Sequence, residues 1–202
     1  MKIFLDIGSH HGETLVIICQ KKYAFDKIYC FEPIKENHLK LRKIKRDDKK
    51  IVLNEYGLFS ESCKKIMYNP GNVGSSIFKE KLVSHPNNRT ERCKFIKASN
   101  WFKDNLSTLD EIYAKINIEG AEIEVLNDLL DSGEFHKLKK VIITFDVLKI
   151  PGKEYLKEQM LTRFKNEGIT NFSVLRDLRD QFQHLKETDK MNKVYDIWLG
   201  IK

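Results

Sequence analysis

Cysteine is scarce in this 202-residue sequence, and the four present, Cys19, Cys30, Cys63 and Cys93, form no C-x-x-C pair. That spacing gives no sign of a zinc site or a disulfide framework; thiols in apolar runs behave as small hydrophobes. Long hydrophobic runs are missing as well. The longest near the start, Leu15 to Cys19, falls far short of the roughly 18 residues a membrane span needs. No basic, apolar, small-residue signal pattern opens the sequence, so a soluble, cytoplasmic protein is expected. Internal repeats and low-complexity tracts are absent. Charge of a single sign is absent too: 36 Lys and Arg mingle with 29 Asp and Glu, and the net +7 permits an anionic partner without requiring one. With 41% hydrophobic residues the chain can bury one sizeable core, and residues 1–202 are read as a single domain.

Short apolar runs alternate with helical patterns. Lys2 to Ile7, Ile28 to Phe31, Ile51 to Tyr56, Ala114 to Ile118 and Val141 to Phe145 read as strands buried on both faces. Helical spacing follows at Glu13 to Lys21, around Leu39 and Ile44, at Val125 to Leu130 before Gly133, and at Tyr155 to Phe164. Phe172 to Leu175 and Val194 to Ile201 read as two closing strands, with Trp198 a buried strand residue. Only the turn-rich stretch Arg176 to Lys193 separates them, so one is expected to run antiparallel at the sheet edge. The whole predicts an α/β fold with a mostly parallel sheet covered by helices on both faces. A turn-rich insertion at about 60–97 holds Asn69-Pro70-Gly71-Asn72, Gly74-Ser75-Ser76 and Pro86-Asn87-Asn88, and connections of that length are commonly functional. Trp101 and Phe102 close it as core or lid residues.

Polar residues interrupt the strand ends: Asp6, Glu32, Asn117 with Glu119, and Asp146. In an open parallel sheet that edge is where ligands bind, so these residues are expected on one rim. The first turn, Asp6-Ile7-Gly8-Ser9-His10-His11-Gly12-Glu13-Thr14, fails the dinucleotide pattern G-x-G-x-x-G, because His10 and Glu13 stand at the second and third glycine positions. Carboxylates at Asp6 and Glu13 would repel a pyrophosphate but tolerate a cation. S-adenosylmethionine, with a sulfonium, an ammonium and no phosphate, suits such a turn. Glu32, 26 residues beyond Asp6, can accept hydrogen bonds from both ribose hydroxyls.

These motifs resemble the FkbM-type S-adenosylmethionine-dependent methyltransferases of the class I methyltransferase fold. The resemblance is carried by Phe4 to Thr14, Phe31-Glu32-Pro33, Gly74-Ser75-Ser76, and Lys115-Ile116-Asn117-Ile118-Glu119-Gly120-Ala121-Glu122 with Val125-Leu126. It implies a Rossmann-like, seven-stranded sheet with one antiparallel strand, and O-methylation of a sugar or glycan hydroxyl or a related small acceptor, releasing S-adenosylhomocysteine. By carry-over Asp6, Gly8, Gly12 and Glu32 belong to the donor site, and Asn117 with Glu119 to the region beside the transferred methyl; Ser9, His10, Glu13, Thr14, Pro33 and Asn117 are counted among the donor-binding candidates as well. Gly57 and Leu58, after the third strand, are expected against adenine by analogy with the class.

Glu119, His10 and Asp146 are the candidate bases for a hydroxyl acceptor. Glu119 and Asp146 could also ligate a divalent cation, but the family usually has Asp where this chain has Asn117, which argues against a metal. Glu122 and Glu124 fit a helix's first turn, where the dipole favours carboxylates. Many relatives carry a segment before the first strand, so the acceptor pocket is expected to be more open here or completed by a second subunit of a homodimer. Lys35 to Lys50 holds eight Lys or Arg but no interleaved aromatics, so a solvated helix face is favoured over nucleic acid. The alternatives are an RNA methyltransferase and a donor-binding partner subunit without turnover.

Overall fold

The computed structural model describes residues 1–201. The chain runs β1 (Lys2–Ile7), α1 (Glu13–Ile18), β2 (Lys27–Phe31), α2 (Lys35–Lys45) and β3 (Ile51–Asn54). It continues through β4 (Gly57–Phe59), β5 (Cys63–Tyr68), β6 (Thr90–Lys97), α3 (Ala98–Asn105), β7 (Glu111–Ile116) and α4 (Glu122–Asp131). It closes with β8 (Leu138–Ile143), α5 (Tyr155–Asn166), β9 (Phe172–Val174), α6 (Leu175–Asp180) and α7 (Glu187–Leu199). The central sheet has the order β3-β2-β1-β7-β8-β9, with every pair parallel. Strand order reverses between β1 and β7, which creates a crevice at their carboxyl ends.

The α/β class, the parallel sheet and the helices on both faces match the sequence reading. The closing strands do not. The central sheet has six strands rather than seven and, among the described residues, no antiparallel member. Val194 to Ile201, read as a strand, lies mostly in α7. Buried Val194, Tyr195, Trp198 and Leu199 recur at helical spacing, whereas Ile197 is 46% exposed. Gly200, with φ +73°, ends this helix in the left-handed conformation that glycine adopts without a Cβ penalty. The 60–97 insertion is not merely turns either: β5 and β6 pair antiparallel, and β4 joins β6 in a second, three-stranded sheet.

Alternation along β1 divides the core. Ile3, Leu5 and Ile7 face α3, α4 and α5, whose Phe102, Leu126, Leu129 and Phe164 are buried with them. Trp101, foreseen as core or lid, packs edge-on against Phe31 and Tyr29. Phe4 faces the other way, among Leu15 and Ile18 of α1, Leu41 of α2, and Tyr195 and Trp198 of α7. Asp6 shares that face, and its burial there needs a compensating charge. No helix among the described residues is long and apolar enough to cross a membrane.

Candidate functional site

The turn after β1 is fastened to the end of β2. The Gly8 and Ser9 N–H groups both donate to the Phe31 carbonyl, at 3.1 and 3.0 Å. Gly8 has φ +87°, and a Cβ there would lie 1.9 Å from the Asn117 carbonyl oxygen, so only glycine lets the turns after β1 and β7 approach this closely. Glu32 is held from both sides. Its Oε2 accepts the His10 N–H at 2.8 Å and its Oε1 accepts the Ile34 N–H at 2.9 Å. Burial raises its carboxyl pKa, opposed by the hydrogen bonds from the Ile34 and His10 N–H groups.

A cavity of about 410 Å³ opens at the carboxyl ends of β1, β2 and β7. Gly8, His10, Glu13, Thr14, Glu32, Pro33, Gly57, Leu58, Asn117 and Glu119 all line it, so most of the residues singled out in the sequence come together. Pro33, Ile34, Leu58, Met67 and Phe95 make an apolar end against the small sheet. Sequence reasoning missed the opposite wall, Leu175 and Arg179 of α6 with Glu187, Met191 and Tyr195 of α7, because it read Arg176 to Lys193 as a turn-rich stretch without a helix and Val194 onward as a strand. Tyr195 joins α7 to α1 through the Thr14 hydroxyl, 3.1 Å away. Among charged lining groups, Glu13, Glu32, Glu119 and Glu187 outnumber Lys115 and Arg179.

Three expected donor residues lie outside this lining. Asp6 is fully buried behind it, and Lys115, its cross-strand neighbour in the β1–β7 register, places Nζ 3.1 Å from Asp6 Oδ1. The same ammonium donates to the Gly8 carbonyl at 2.6 Å. Asp6 therefore adds no negative charge to the rim; it secures the lysine that braces the turn. Ser9 is also internal, its hydroxyl donating to the Asp6 carbonyl at 2.9 Å. Gly12 abuts Leu41 and Ile44 of α2 rather than the cavity.

The candidate bases do not all line one cavity. Glu119 lines the cavity, whereas Asp146 lines an adjoining one. Between them stands Lys81, a residue of the insertion whose fully buried ammonium bonds Glu119 Oε2 and lies 3.7 Å from Asp146 Oδ2. Lys81 thus supplies a positive charge to both carboxylates. Burial and the adjacent Asp146 push the Glu119 carboxyl upward. Burial also raises Asp146, but its hydrogen bonds to Glu119 and Lys149 and the Lys81 charge outweigh this and hold it low. Glu119 has a left-handed backbone, φ +60°, and its carbonyl accepts the Ser76 hydroxyl at 2.6 Å. Within Gly74-Ser75-Ser76 it is Ser76 that seats Glu119, while the Ser75 hydroxyl donates to the Asn69 and Asn72 carbonyls. Lys81 gave no sequence signal, since one lysine among many reads as solvated surface.

Glu122 is structural. Fully buried, it accepts the Ile118 and Gly120 N–H groups at 3.2 and 3.0 Å, and burial pushes its carboxyl up to about 8. His10 and His11 stack with ring centroids 3.7 Å apart. His10 Nδ1 lies 3.1 Å from Glu13 Oε1. Burial pushes Glu13 up, but that hydrogen bond, its own N–H and the two imidazoles hold it at about 2, so it is ionised at neutral pH. His10, His11 and Glu13 also form a group of metal-ligating types, with candidate ligand atoms within 4.8 Å of one another. Burial, His10 and Lys40 lower the His11 pKa.

No protein-family model and no curated protein matches this chain. Among solved structures, the chain is similar to the crystal structure of the methyltransferase FkbM from Methylobacillus flagellatus KT, with a TM-score of 0.49 and 18% identity. The match covers 80% of this chain and 37% of that one, so this chain spans well under half of that protein's length.

Proposed function

We propose that this chain is an S-adenosylmethionine-dependent methyltransferase acting on a hydroxyl of a sugar, glycan or related small acceptor. The observation that carries the reading is the acidic cavity at the strand-order reversal, with the Asn117 amide oxygen buried in its wall and no hydrogen-bond partner among the described residues. An unpaired buried acceptor calls for a donor, and the ammonium of S-adenosylmethionine is one. When bound, the donor supplies a sulfonium-activated methyl group.

Other parts of the cavity fit the same molecule. Each Glu32 oxygen spends one lone pair on a backbone N–H and retains capacity for a ribose hydroxyl. Pro33, Leu58 and Phe95 offer apolar surface to adenine. A dinucleotide would bring its diphosphate against ionised Glu13, which disfavours it. The sheet order alone does not separate the two ligands, since dinucleotide-binding sheets share it.

Glu119 is the residue we assign to the acceptor hydroxyl. Its raised pKa makes it a better proton acceptor near neutral pH, and Lys81 and Ser76 fix its position. Alignment of acceptor and donor would supply roughly 7–11 kcal/mol of the barrier reduction. The test is S-adenosylhomocysteine formation across pools of hydroxylated sugars, with wild type and Glu119→Gln. Product formation slowed about 100-fold in the variant, at unchanged donor affinity, is expected. Unchanged turnover removes Glu119 as the base, and no turnover with any acceptor overturns the enzyme reading.

A further inference from the structure

We propose that the second cavity anchors a phosphorylated small acceptor, whose phosphate is held by Lys157, Arg176 and Lys190 while its hydroxyl reaches the Asp146–Glu119 end. This rests on the methyltransferase reading and names the substrate class for it. The second cavity measures about 580 Å³ and shares Leu175 and Arg179 with the first as a common wall. It begins where the candidate chemistry lies: Asp146 lines it, and Lys81 connects Asp146 to Glu119 in the donor cavity.

Its charge is opposite to that of the donor cavity. Lysines 149, 157 and 190 and arginines 176 and 179 line it, against only Asp146 and Asp180. Internal pairing balances only part of this positive charge: Lys149 is paired with Asp146 at 2.8 Å. Arg179 and Lys190 share one Glu187 carboxylate, at 3.0 and 3.4 Å, and Arg176 stands 3.8 Å from Asp180. The half-buried Lys157 ammonium has no acidic partner among the described residues. Thr144 lines the same cavity, and its buried hydroxyl has no hydrogen-bond partner among the described residues. One unpaired ammonium, two cations sharing a single carboxylate and an unsatisfied hydroxyl are together the complement of a phosphate, which accepts from all of them. A cationic donor and an anionic acceptor would thus be sorted into adjoining cavities by charge.

The experiment titrates inorganic phosphate, a hexose phosphate, the free hexose and a short oligouridylate into wild type and the Lys157→Gln/Arg176→Gln variant, with S-adenosylhomocysteine as control. Neither residue belongs to the core, and thermal melting checks that the variant folds. The expected result is that the hexose phosphate binds more tightly than the free hexose. Its affinity falls about tenfold or more in the variant, while S-adenosylhomocysteine affinity is unchanged. Binding of inorganic phosphate with the same loss supports the anion site itself. Equal binding of hexose phosphate and free hexose, or no loss in the variant, overturns the proposal and leaves the donor reading intact. Preferential, steeply salt-dependent binding of the oligouridylate overturns it in favour of RNA. Phosphate binding without any S-adenosylhomocysteine binding overturns the acceptor role, because the donor reading has then failed separately.

Discussion

Lys115 and Asp6 face each other across β1 and β7, 3.1 Å apart and shut away from solvent beneath the first turn. Removing one member of a buried ion pair leaves the other charge without compensation, at a cost of about 3–5 kcal/mol. Lys115→Met should therefore lower the urea-unfolding free energy by about that amount. Adding Asp6→Asn should recover part of the loss, because the stranded carboxylate is gone. Two additive losses would show that the pair is not coupled.

Glu122 sets a pH dependence. Its carboxyl has a reference pKa of 4.5 and sits near 8 in the fold, so across that interval the folded state holds a proton that the unfolded state has released. The group's stabilising contribution is complete below its unfolded pKa, declines by about 1.4 kcal/mol per pH unit as pH rises, and is exhausted at the folded pKa. Glu122→Gln keeps the oxygen that accepts the Ile118 and Gly120 N–H groups and removes the titration. Its unfolding free energy should vary less between about pH 5 and 8, and it should be the more stable protein at the upper end. Parallel stability curves for wild type and variant would show that Glu122 ionises freely.

Trp198 tests the closing helix. It is 4% exposed and packs edge-on against Phe4 and Tyr113 of the sheet. Trp198→Ala should cost about 3–5 kcal/mol by calorimetric or urea unfolding. S-adenosylhomocysteine affinity should fall with it, because α7 also carries Tyr195 to the cavity wall. Full donor affinity in a strongly destabilised variant would separate α7 from the site.

The sheet strands were legible because burial on both faces writes them as continuous apolar runs, and the polar residues just beyond them marked the rim. The closing helix was not, since Tyr195-Asp196-Ile197-Trp198-Leu199 mixes aromatic and branched residues in apparent alternation. The helical spacing of Val194, Tyr195, Trp198 and Leu199 before Gly200 is hidden within that alternation. Asp6 was misplaced for a different reason: a carboxylate at a strand end reads as exposed, and its partner lies 109 positions away. The pairing could have been found by aligning Asp6-Ile7-Gly8 with Lys115-Ile116-Asn117, since both lysine and aspartate stand two residues before a turn in neighbouring strands. Lys81 was beyond reach, because only the folded insertion brings it between Glu119 and Asp146.

Glu32 is expected to report the donor directly. Glu32→Gln keeps the two acceptor roles only in part, since one carboxylate oxygen becomes an NH₂ facing a backbone N–H. S-adenosylhomocysteine affinity should drop by about tenfold or more. An unchanged affinity would mean that the ribose is held elsewhere.

The decisive measurement is calorimetric titration of the wild-type protein with S-adenosylmethionine, S-adenosylhomocysteine and NAD. Saturable binding of the first two with no heat from NAD is the predicted result. Binding of NAD, with neither sulfur compound recognised, would contradict a cavity made for a cationic methyl donor.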